Sequence, residues 1–251
     1  MTISTFPATP PAPEGPAPTA GPAHRRRQQP RWRWRIGVVV FVALCLAVGL
    51  GAPLPYFVVS LDTLAQANQG LAGHYVDQPA WIQQVLRVHA GFSGLALVLT
   101  PVQWSGRIRR RRPAVHRGAG RVSAAAIMAG AASGLVIAQV GYAGWSGRIG
   151  FSMLSLVWLY ATVRTVTEAR RGDRAAHRRW GLRVVALTFA AVTLRLWVAV
   201  WVGISMPTTA AEAQTAFDQM YTVTPFLAWI PNLAVVEWWL RRSTTDQVVP
   251  G

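Results

Sequence analysis

Six apolar runs alternate with arginine clusters along this chain, and that pattern limits its fold more than any other feature. The runs cover roughly residues 36–59, 86–105, 122–142, 150–167, 184–206 and 222–240, each close to the ~20 apolar residues that a helix needs to cross a bilayer. Arg25 to Arg35, Arg107 to Arg121, Arg164 to Arg183, and Arg241 with Arg242 fall in alternate connections. Asp62, Asp77, Arg148, Glu212 and Asp218 occupy the others. Cytoplasmic loops carry the excess of basic residues, so the pattern predicts both termini in the cytoplasm and the loop near 62–84 outside. The fold expected is an all-α integral membrane protein, a bundle of about six transmembrane helices in a bacterial cytoplasmic (inner) membrane.

Composition agrees, with 52% hydrophobic and 14% charged residues, a membrane balance. The net charge of +16 would suit nucleic acid only if the arginines shared one soluble surface. Apolar spans separate them, so nucleic acid is excluded as a partner and the lipid bilayer is the expected one. Every basic residue is arginine, which fits a GC-rich bacterial genome. Cys45 is the sole cysteine, which leaves no internal disulfide, no CxxC redox pair and no CxxCH haem attachment. Residues 1–35 read as a Pro/Ala-rich disordered tail ending in the basic, Trp-bearing "RRRQQPRWRWR". Residues 36–240 read as the membrane domain and 241–251 as a short cytoplasmic tail. The apolar run after Ile36 is too long for the core of an export signal.

Within the membrane, polar groups need partners and so point to sites. His89 and Gln103 fall on one stripe of the second predicted helix. Arg195, in "TLRLW", lies near the middle of the fifth and should turn inward, with Gln139, His89 and Asn232 as candidate neighbours. Toward the arginine-rich side lie Gln103, His116, His177, Arg183 and Glu237. On the third helix Ala126, Gly130, Gly134 and Ala138 recur every four residues, a close-packing face. No carboxylate lies in mid-membrane, which argues against an ion-coupled carrier.

"RPAVHRGAGR" and "RAAHRRWGLR" each place a histidine among arginines just ahead of an apolar run, with Gly120 and Gly181 each four residues on, as a repeat of two helix pairs would. The plain reading is a pair of interfacial histidines in solvated loops. The sharper one is axial ligation of haem b by His116 and His177 between two helices, with Arg117, Arg121 and Arg183 on its propionates and Glu237 or Gln103 orienting the imidazoles. His89 and Arg195 would then form a second cofactor- or quinone-binding locus. A redox protein with a quinone or other redox partner, a binder or carrier of an amphipathic anion centred on Arg195, and a non-catalytic membrane subunit all remain open.

The series "HAGFSGLALVLTPVQW", "RRPAVHRGAGR", "GF" at 150, "HRRWGLR", "TLRLW" and "WIPNLAVVE" resembles the bacterial domain-of-unknown-function family 2306, over roughly residues 86–240. The matching positions are His89, Pro101, Gln103, His116, Arg117, Gly120, Arg121, His177, Trp180, Arg183, Arg195, Trp229, Asn232 and Glu237. Gly181 departs from the methionine expected there. The resemblance implies a multipass membrane protein and singles out residues, but it brings no reaction. A looser similarity, in helix number and histidine placement, is to four-helix membrane cytochromes b.

Overall fold

The computed structural model describes residues 31–67 and 71–245. The Pro/Ala-rich tail up to residue 30 and residues 246–251 lie outside them. The described chain is helical from end to end. Helix α1 (Arg31–Gly51) continues through a turn into α2 (Pro55–Val58), and α3 (Leu61–Gln66) and α4 (Ala72–Val76) follow as short pieces. Then come α5 (Ala80–Trp104), α6 (Gly106–Arg111), α7 (Pro113–Gln139), α8 (Gly144–Arg171), α9 (Arg174–Thr188), α10 (Ala190–Ser205), α11 (Ala210–Leu227) and α12 (Ile230–Thr245).

Five spans among the described residues are long and apolar enough to cross a membrane: Trp34–Val58, Ala80–Trp104, Pro113–Gln139, Gly144–Arg171 and Arg174–Ser205. The sixth predicted run, 222–240, straddles the turn between α11 and α12 and is not one of them. Pro225, Pro231, Asn232 and Glu237 interrupt its apolar character, although Ala228 and Trp229 at the turn are buried.

Helices begin earlier than their apolar runs because arginine is a good helix former and caps set the boundaries. Pro113, with φ preset for a first turn, opens α7 nine residues ahead of the apolar stretch. Asp173 caps α9 by accepting the Ala176 N–H at 2.8 Å. His116 and His177 therefore ride on the first turns of α7 and α9, not in loops before them. At the end of α8, Gly172 takes a left-handed φ of 79°, which turns the chain sharply into α9.

Helix α5 packs along α7, α7 along α8, α8 along α9, and α9 returns more sparsely to α5. This closes a ring of four in which α7 and α9 occupy opposite corners. Its middle is filled by Ala96, Ala126, Ile127, Ala131, Trp158, Ala161 and Leu187, with Trp229 from the turn between α11 and α12. The predicted small-residue face is buried along all of Ala126, Gly130, Gly134 and Ala138. Outside the ring, α1 lies on α5, α11 on α8 and α10, and α12 on α9. The α1–α5 crossing is very close: a Cβ on Gly94 would stand 2.5 Å from the Gly49 carbonyl oxygen. At the end of the bundle away from the arginines, α3 and α4 fold over α5 through Leu61, Leu64, Ala72, Tyr75, Ile82 and Leu86. A sequence reading as a plain outer loop did not anticipate this cap, whose helices are too short to show a period.

Candidate functional site

The predicted residues fall into two groups, one at the arginine-rich end of the ring and one in its other half. At the arginine-rich end, His177 sits four residues past the Asp173 cap and its Nδ1 lies 2.9 Å from the Thr165 carbonyl of α8. A carbonyl only accepts, so that nitrogen carries the proton and the neutral ring's lone pair is left on Nε2. His116, at the opposite corner, is within electrostatic reach of His177, Arg109 and Arg117. Its Nδ1 is buried with no hydrogen-bond partner among the described residues, a costly condition for a polar nitrogen.

The expected orienting groups do other work. The Gln103 amide donates to the His116 main-chain carbonyl at 3.2 Å, not to its ring, and Gly120 leaves room for it. Glu237 holds Arg183 in a two-pronged ion pair, Nε to Oε1 at 2.5 Å and Nη2 to Oε2 at 3.0 Å. Arg183 is thereby withdrawn from the set expected to meet propionates. Arg117 and Arg121 remain exposed, with no carboxylate or hydrogen-bond partner among the described residues.

Sequence reading missed the aromatic element of this end. The guanidinium carbons of Arg183 and Arg164 lie over the Trp180 ring, 4.5 and 5.0 Å from its centroid, and Tyr160 meets that ring edge-on. Glu168, buried near the end of α8, binds Arg164 at 2.8 Å. Two glutamates thus position two arginines on one indole, a cation–π arrangement that pins α8, α9 and α12 together. A tryptophan near a helix end looks in sequence like an ordinary interfacial anchor.

In the other half, His89 on α5 places Nδ1 2.8 Å from the Gly130 carbonyl of α7, again leaving Nε2 with the lone pair. A Cβ on Gly134 would come within 3.1 Å of the imidazole and 3.0 Å of Ser155 Oγ, so the small-residue face makes room for the ring. Arg195 follows the expectation in part, with His89 but neither Gln139 nor Asn232 near it. It is exposed, and the hydrogen bond it makes is to the Ala191 carbonyl on its own helix, at 2.8 Å. Gln139 bonds Ser152 and Asn232 bonds Thr193, so neither is its partner, while His89, Tyr56 and Tyr221 lie within its electrostatic reach. Beyond them, the Tyr142 hydroxyl donates to Asp218 at 2.6 Å, which raises the tyrosine pKa because the carboxylate favours the protonated phenol.

Among the described residues no three His, Cys, Asp or Glu side chains are grouped to hold a bare metal ion. The architecture and its two polar clusters define a multipass helical membrane protein. The family model described as "Predicted membrane protein (DUF2306)" matches residues 86–240, and the chain belongs to that family. No curated protein and no solved structure matches it.

Proposed function

We propose that the protein binds haem b and serves as a redox component of the bacterial cytoplasmic membrane, with the arginine-rich end facing the cytoplasm and His116 and His177 as axial ligands. One observation carries the reading: two imidazoles stand on opposite corners of a four-helix ring, within electrostatic reach of each other. Facing helices of a bundle are where cofactor ligands of this kind are built. The haem would supply one-electron chemistry, passed to or from a quinone or another redox partner.

The chain's own contributions follow from the contacts. The Thr165 carbonyl fixes His177 with Nε2 available, the form that ligates iron. Gln103 secures the first turn of α7 through the His116 carbonyl and so sets the position of that imidazole. Arg117 and Arg121, free of carboxylate partners among the described residues, are suited to meet propionates. Arg183 instead acts at one remove, tying α9 to α12.

The test is the absorption spectrum of protein purified from haem-supplemented cells. A Soret band that disappears in both His116→Ala and His177→Ala, with the variants still monodisperse in detergent, is the expected result. Absence of the band in the wild type, or its persistence in both variants, overturns the reading.

A further inference from the structure

The Arg195 locus lies in the other half of the bundle and uses none of the proposed haem ligands. A guanidinium offers five N–H donors. Arg195 gives one to its own helix and has no carboxylate partner among the described residues, yet it belongs to a candidate membrane span, Arg174–Ser205. Three more polar groups, each on another element, lie within its electrostatic reach: Tyr56 of α2, His89 of α5 and Tyr221 of α11, the last on the helix against which α10 packs. Tyr221 is buried, and its hydroxyl has no hydrogen bond among the described residues. His89 contributes the acceptor nitrogen Nε2, its other nitrogen being held by Gly130.

The locus is open to a ligand. Helix α10 packs on α11 and touches α1, and Arg195 keeps an exposed surface beside exposed Leu196 and Trp197. Donors therefore outnumber acceptors, one permanent positive charge lacks a counterpart, and the approach is apolar. A neutral quinone or alcohol would satisfy the donors and leave the charge uncompensated. An anion satisfies both, and in a low-dielectric setting that compensation dominates.

We propose that Arg195, Tyr56, Tyr221 and His89 form a binding site for the carboxylate or phosphate headgroup of an amphipathic molecule entering from the bilayer beside α10. Arg195 holds the anion and the Tyr221 hydroxyl donates a further hydrogen bond to it; where the headgroup is a phosphate monoester, His89 accepts from its remaining P–OH.

The full-length protein in neutral detergent is titrated with a fluorescent long-chain carboxylate, its methyl ester, lysophosphatidate and inorganic phosphate. Charge-assisted hydrogen bonds predict that the acid binds at least about tenfold more tightly than its ester, and that Arg195→Gln loses about tenfold or more. Tyr221→Phe should lose about threefold to tenfold and still fold. The acid and lysophosphatidate arms tell a carboxylate from a phosphate headgroup, and the inorganic phosphate arm tells an amphiphile from a free anion. Equal binding of acid and ester, unchanged binding in both variants, or no binding of any anion by the wild type overturns the proposal. If Arg195→Gln fails to fold, the acid–ester comparison and Tyr221→Phe decide.

Discussion

Arg183 on α9 grips Glu237 on α12 with two hydrogen bonds, at 2.5 and 3.0 Å, while its guanidinium covers the Trp180 ring. Both side chains are mostly shielded, with 20% and 32% of their surface accessible. Removing one partner leaves the other charge partly desolvated, so Glu237→Gln should cost about 1–3 kcal/mol. Arg183→Ala should cost more, because it also loses the indole contact. A double-mutant cycle by thermal unfolding in detergent measures the pair; strictly additive losses would show that the two residues do not interact.

The α1–α5 crossing depends on two glycines. A Cβ on Gly94 would lie 2.5 Å from the Gly49 oxygen and 2.6 Å from Pro53 Cγ, and backbone cannot yield as a flexible side chain can. Gly94→Val should destabilise by about 1–3 kcal/mol through overpacking. Gly37→Val, where a Cβ meets nothing within 4 Å, is the control. Equal melting temperatures for the two variants would count against the close crossing.

The first turn of α11 has a pH-sensitive cap. Glu212 accepts the Thr208 N–H at 2.7 Å and its hydroxyl at 2.9 Å, and these bonds hold the carboxyl pKa below its ordinary value. The contribution is therefore complete above the unfolded value of about 4.3 and fades as pH falls through the lower folded value. The protection factor of the Thr208 amide should fall below about pH 4 in the wild type and stay flat across that range in Glu212→Gln.

The arginine asymmetry gives a test of orientation. A reporter fused after Arg171 should read as cytoplasmic, and one fused after Gln78 as external. A cytoplasmic signal from the second would reverse the proposed sidedness of both polar clusters.

The sequence alone determined the membrane class, the helical content and the location of most spans, because bilayer thickness and the need to satisfy every backbone group in lipid leave few alternatives to long apolar helices. It also marked His89, Gln103, His116, His177, Arg183 and Arg195 as polar groups in costly places. It did not determine their partners. Whether Glu237 would meet a histidine or Arg183, and whether Gln139 would meet Arg195 or Ser152, depends on how each helix is rotated about its axis and on which helices share a seam. Those are set by packing between elements distant in sequence: Gly94 against Gly49, Ala126 to Ala138 against their neighbours, α10 leaning on α11. The same holds for where α7 and α9 begin, since Pro113 and Asp173 set those ends while hydropathy reports only the lipid-facing part. Hydropathy measures how each residue partitions into lipid, one residue at a time, whereas partner choice depends on distances that exist only once the bundle has closed.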